Sequence, residues 1–111
     1  MELTGKAKQL FEEWYNDKLL CNHFNEIDDL YYHLLECFYS LPPEMQKGVY
    51  EAFADSLGYD LDVFRCNDEK VTAMVVYWGD GDMNIRYNED FINKSEAFEA
   101  ELKELNNIIN K

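Results

Sequence analysis

An α+β fold, with three N-terminal helices, a three-stranded antiparallel meander and a C-terminal helix packed in two layers, follows from where the hydrophobic period changes. Up to Gly58 the apolar residues recur at three- and four-residue spacing, from Tyr59 to Tyr87 they recur mostly at every second position, and after Asn93 the helical spacing returns. The chain has 111 residues, of which 47% are hydrophobic and 15% aromatic, which is enough for one core and too short for two, so residues 1–111 are expected to form a single domain.

The first helix is predicted from Ala7, Leu10, Phe11 and Trp14 on one side, with Thr4 placed to cap it and Lys6, Lys8, Glu12, Glu13 and Asp17 largely on the other. A second helical pattern runs from Phe24 through Ile27, Leu30, Tyr31, Leu34, Leu35 and Phe38 to Leu41. Pro42 ends it, because a proline ring drives the preceding residue out of helical dihedrals. Pro43 then suits the first turn of a third helix, where a missing N–H is harmless, and Met45, Val49, Phe53 and Leu57 mark its stripe. Gly58 follows the stripe, as expected of a residue that terminates a helix in the left-handed conformation.

Tyr59-Asp60-Leu61-Asp62-Val63 alternates apolar and acidic residues and reads as a strand with one wet face. Val71 to Trp78 is apolar on both faces, which makes it the central strand. Asp80-Gly81 signals a hairpin, and Met83, Ile85 and Tyr87 alternate with Asn84 and Arg86 on the return. Asn93 and Glu96 have the spacing of a capping box before a last helix lined by Phe98, Leu102, Leu105 and Ile109. Helices must cover one face of this sheet; if nothing in the chain covers the other, a dimer is implied. Monomer and homodimer both stay open.

Ten Lys and Arg against 23 Asp and Glu leave a formal charge of −13. Direct binding to nucleic acid or to an anionic membrane is therefore not expected, since both need clustered cations. The N-terminus lacks the apolar run of a signal peptide and no stretch approaches a membrane span, so a cytoplasmic location is expected. Three cysteines at irregular spacing suit reduced, packed thiols in a reducing compartment.

Motifs for chemistry are weak. Asp80-Gly81-Asp82-Met83-Asn84 begins like a calcium loop, but Ile85 stands where that loop needs Gly and Phe91 where it needs Glu. Cys21, His23, His33 and Cys37 are zinc-type ligands, yet the first pair is tighter than a zinc knuckle and a core this apolar does not need a metal to fold. His33 and Cys37 lack the third orienting group of a thiol catalytic site. No metal, cofactor or catalytic residue is assigned, and enzymatic activity is not expected.

Charge placement carries more. Residues 19–64 hold nine acids and one cation, Lys47. Glu26, Asp28, Asp29, Glu36, Glu51 and Asp55, together with Tyr32 and Tyr39, form the candidate partner-binding set, because tyrosine among acids buries area at small entropic cost and keeps a polar tip. The expected function is a non-catalytic protein-binding or regulatory module with a basic protein partner; the alternative is a nucleic-acid mimic that inhibits a DNA- or RNA-binding protein.

The segment Phe38-Tyr39-Ser40-Leu41-Pro42-Pro43-Glu44-Met45-Gln46-Lys47-Gly48-Val49-Tyr50, continuing through Phe53, Ser56 and Gly58, resembles a motif of small uncharacterised bacterial and phage-encoded proteins. That resemblance implies a phage, mobile-element or accessory context. It brings no catalytic residues.

Overall fold

The computed structural model describes residues 3–20, 35–79 and 81–111. Helices α1 (Gly5–Leu20), α2 (Pro43–Ser56) and α3 (Lys94–Asn110) flank strands β1 (Tyr59–Arg65), β2 (Val71–Gly79) and β3 (Asp82–Phe91) in the chain order α1, α2, β1, β2, β3, α3. Residues 35–39 are also helical. The α+β class and the antiparallel meander match the sequence reading, with the strands in the order β1-β2-β3. The upstream part of the second helical pattern, from Phe24 to Leu34, lies outside the described residues.

Hydrophobic alternation sets the register. Leu61 of β1 pairs with Val75 of β2, and Val63 with Ala73. Val75 in turn pairs with Tyr87 of β3, Ala73 with Glu89 and Val71 with Phe91. This face packs against Ala97, Phe98, Leu102 and Leu105 of α3 and Phe53 and Ala54 of α2. A shift in the β2–β3 register between Val75 and Val76 leaves Arg86 as an extra residue, so both sides of the bulge keep their inward and outward assignment.

Above the sheet, Phe11 of α1 forms the centre of an aromatic cluster. Its ring centroid lies 5.0 Å from that of Tyr50, 5.2 Å from Phe38 and 5.3 Å from Phe53. Leu3, Ala7 and Phe11 are all buried, so the predicted α1 stripe is the one that packs, with Leu10 and Trp14 partly buried beside it.

The capping of α1 differs from the expectation. Instead of closing the helix with its own hydroxyl, Thr4 is held by the far end of the chain: Asn106 accepts from the Thr4 N–H at 2.8 Å and Asn110 donates to the Thr4 carbonyl at 2.8 Å. The Asn110 side-chain oxygen accepts from the Ala7 N–H at 2.9 Å, doing for α1 what an N-cap residue ordinarily does. This cap joins residues about one hundred positions apart, so no local pattern could signal it. Asn110→Ala is expected to lower stability by about 1–2 kcal/mol, measured by urea unfolding, with the loss concentrated in early hydrogen exchange of residues 5–8.

Three of the four predicted α2 stripe residues pack as expected, with Phe53 buried and Val49 and Leu57 against the core, while the buried face is wider and starts differently. Met45 is exposed, whereas Gln46, Tyr50, Phe53 and Ala54 are buried. Buried Gln46 has a specific task, donating from Nε2 to the Phe38 carbonyl at 3.1 Å and to the Tyr39 carbonyl at 3.4 Å. These carbonyls end the preceding helical turn: the Phe38 carbonyl also accepts from the Leu41 N–H at 3.1 Å, and Pro42 and Pro43 have no N–H to serve as the i+4 donors that would continue the helix. Leu41, placed on the sequence stripe, is exposed at this break. Gly58 ends α2 at φ +89° as expected, and Asn93 accepts from the Glu96 N–H at 2.9 Å at the start of α3.

One end of the sheet is closed by Tyr77. Its ring packs on Tyr59 with the planes tilted by 44° and the centroids 4.9 Å apart, and the Arg86 guanidinium lies 5.6 Å from its centroid. A Cβ at Gly79 would come within 2.2 Å of this ring, so any other residue there must displace the Tyr77 ring.

Candidate protein-binding surface

The outward face of the sheet is built by the residues that alternate with the core set. β1 contributes Asp60, Asp62 and Phe64, β2 contributes Thr72, Met74, Val76 and Trp78, and β3 contributes Met83, Ile85, Asn88 and Asp90. Trp78 pairs with Met83 and Val76 with Ile85, placing four apolar side chains in one block across β2 and β3. Phe64, Trp78, Met83 and Ile85 are 44%, 48%, 56% and 47% exposed. Large side chains normally avoid such clustering on a solvent-facing sheet, where polar residues complete the alternation.

Carboxylates border the block. Asp60 and Asp62 occupy the β1 edge and Asp90 the far corner of β3. Asp60 accepts from the Trp78 indole N–H at 2.5 Å, and Asp90 accepts from the Thr72 hydroxyl at 2.7 Å. These bonds fix the indole and close the polar end of the face. The strands contain two cations, Arg65 and Arg86, and neither alternates onto this side. The resulting surface has an apolar centre and an unneutralised acidic margin.

Of the acids and tyrosines singled out from sequence, Glu26, Asp28, Asp29 and Tyr32 lie outside the described residues. Glu36 and Asp55 are exposed on separate helical segments. Glu51 is half-buried beside Lys47, 4.0 Å away. Tyr39 is half-buried and packs on the core, its centroid 5.4 Å from Phe38 and its ring 5.7 Å from the Lys8 ammonium. Tyr15 likewise packs on Phe11 and Phe38, and burial, followed by the nearby Cys37, raises its pKa. The described helical acids and tyrosine therefore do not share one patch with the sheet face.

The thiols also differ from the expectation of burial: Cys37 and Cys66 are exposed. Cys37 falls outside the Leu35–Phe38 side of its helical turn, and Cys66 lies in the β1–β2 connection, within hydrogen-bonding distance of Thr72. Cys21, His23 and His33 lie outside the described residues, as does Asp80. Among the described residues, no three His, Cys, Asp or Glu side chains are grouped to hold a metal. Asp82 and Asn84 of the calcium-like segment belong to β3, in antiparallel pairing with Gly79 and Tyr77.

A buried acid escaped the sequence reading. Glu101 of α3 is fully buried among core residues, and neither carboxylate oxygen has a hydrogen-bond partner among the described residues. Burial pushes its pKa up to about 8; Glu51 and Asp62 push in the same direction, while Lys47 opposes them. In the sequence, Glu101 occupies the i+3 position from Phe98 and the i−4 position from Leu105, which places it on the apolar stripe.

No family model matches the chain, and no curated protein or solved structure is significantly similar to it. No helix among the described residues is long and apolar enough to cross a membrane.

Proposed function

We propose that this chain is a non-catalytic protein-binding module whose docking surface is the outward face of the β1-β2-β3 sheet. The observation that carries the reading is the exposed block of Trp78, Met83 and Ile85, bordered on the β1 side by Asp60 and Asp62, with exposed Phe64 and Asp90 at the other end of the same face. Desolvating such a block contributes roughly 25 cal/mol per Å² of apolar surface, whereas scattered surface carboxylates contribute little to affinity once bound. An aromatic anchor within an apolar centre and a polar margin is the anatomy of a protein interface.

The acidic helical residues have a complementary part. Glu36, Asp55 and the remainder of the −13 charge create a negative field that accelerates encounter with a basic protein, while the sheet supplies the contact that holds it. This division separates the reading from nucleic-acid mimicry, in which arrayed carboxylates themselves form the contact.

Partner capture from cell lysate on immobilised protein tests it when wild type is compared with two variants. Met83→Ser with Ile85→Ser is expected to abolish retention of the partner at all salt concentrations. Glu36→Gln with Asp55→Asn is expected to slow capture at low salt and to leave the retained amount nearly unchanged. Loss of capture in the second variant alone would reject the sheet as the docking surface.

A further inference from the structure

We infer that the sheet face receives one amphipathic helix of a partner protein, with its apolar stripe on the exposed Trp78, Met83 and Ile85 and a Lys/Arg flank along Asp60 and Asp62. This rests on the protein-binding reading above and specifies the chemistry of the occupant. Three observations select it.

The first is width. Three antiparallel strands span two interstrand spacings of about 4.8 Å, so the face is about 10 Å across, close to the 10–12 Å diameter of one helix with side chains. A single helix laid along the strands would complete a helix–sheet–helix sandwich with the helices that already cover the opposite face.

The second is charge. Every ionisable side chain that the strands place on the face is, among the described residues, a carboxylate: Asp60 and Asp62 along β1, and Asp90 at the corner of β3. A second copy of this chain would bring the same acids against them, on a subunit that itself carries −13. Like charges at a desolvated margin oppose that pairing, while Lys or Arg flanking an apolar stripe would neutralise it.

The third is asymmetry. The apolar block lies over β2 and β3, and its acidic border follows β1, so the recognised helix needs its cations concentrated on one shoulder of its stripe. The Trp78 indole, tied to Asp60, sits at the boundary between the two regions and reports on both.

The probe is a blocked synthetic peptide of Leu and Lys patterned as an amphipathic helix, with a Glu-for-Lys counterpart of identical apolar pattern. Binding to the full-length ¹⁵N-labelled chain is followed through its two indole N–H resonances, assigned with Trp78→Phe. The Lys peptide is expected to shift the Trp78 resonance and leave that of Trp14 in place, and the Glu peptide to shift neither. Asp60→Asn with Asp62→Asn, which preserves an acceptor for the indole, is expected to weaken binding by about tenfold. The equal-charge control Glu36→Gln with Asp55→Asn is expected to weaken it by less than about twofold. Dispersed spectra of both variants would establish that each is folded.

Equal weakening by the two variants, or shifts that bypass Trp78, would overturn the inference while leaving capture through the sheet face intact as a separate result. Absence of Lys-peptide binding would overturn it as well. Movement of the Trp78 resonance with protein concentration alone, accompanied by dimer on sedimentation, would instead assign the face to a second copy. Loss of sheet-dependent partner capture would reject the broader protein-binding reading, whatever the peptide does.

Discussion

Phe11→Ala is expected to remove about 3–5 kcal/mol of stability, the range for deleting a buried aromatic side chain. The ring is fully buried and lies within 5.0–5.3 Å, centroid to centroid, of Tyr50, Phe38 and Phe53. Its loss leaves a cavity bounded by α1, α2 and the helical residues 35–39, at the point where the Trp14–Phe53, Tyr15–Phe38 and Phe38–Tyr50 ring contacts between the same elements converge. Domains of this length are stable by about 5–15 kcal/mol in total, so the variant should unfold at much lower urea concentration and melt at much lower temperature. Phe11→Leu keeps most of the apolar volume and is expected to lose distinctly less. Equal losses in the two variants, read by circular dichroism, would show that the aromatic cluster is not the packing centre of the helices.

A second large effect is expected at Glu101. Its pKa is raised from an ordinary 4.5 to about 8, so the folded chain binds a proton that the unfolded chain releases. Stability linked to this group is fully present below pH 4.5, is lost as the pH rises towards 8, and changes no further above that. The slope within the window approaches about 1.4 kcal/mol per pH unit, and the whole contribution is on the order of 5 kcal/mol. Glu101→Met replaces an unpartnered carboxyl with an apolar chain of similar length. It is expected to flatten stability between pH 5 and pH 8 and to raise it most at the alkaline end. The readout is the urea midpoint against pH for both proteins; a parallel pH dependence in the variant would show that Glu101 is not the titrating group. The −13 charge adds a general repulsion at high pH, but both proteins share it, and the difference between them isolates the buried acid.

The architecture was legible in the sequence because period and punctuation agreed. Alternation in Tyr59–Val63 and in Met83–Tyr87, with an apolar run between them, fixed the meander, and Gly58, Pro42 and Asn93 marked helix boundaries for local reasons that the structure reproduces. β3 extends to Phe91, beyond the predicted end, because Asn88, Glu89 and Asp90 are polar residues of an edge strand whose pairing depends on β2. The α2 stripe was read correctly at Val49, Phe53 and Leu57 and missed at its start, where Gln46 rather than Met45 is buried, because Gln46 looks like a surface residue until its amide is seen donating to the carbonyls of Phe38 and Tyr39.

The candidate site was half legible. A central strand apolar on both faces required a cover on each, and Met83 and Ile85 alternated visibly; the sequence did not reveal which face the helices would leave open, since that depends on long-range packing. Acidic composition drew attention to the helices, whereas the acids that adjoin exposed apolar surface are on the strands. Charge counts along a chain record how much charge there is, and only the register shows what it borders.

Site-specific photo-crosslinking in cells, with benzoylphenylalanine replacing one residue at a time, tests the central claim most directly. Met83 and Ile85 report on the sheet face, and Met45, exposed on α2, serves as the control of comparable size and accessibility. Adducts with one common partner from positions 83 and 85, and none from position 45, are the result expected of a sheet-docked protein module. Adducts formed from position 45 and absent from 83 and 85 would contradict it and place the interface on the helices.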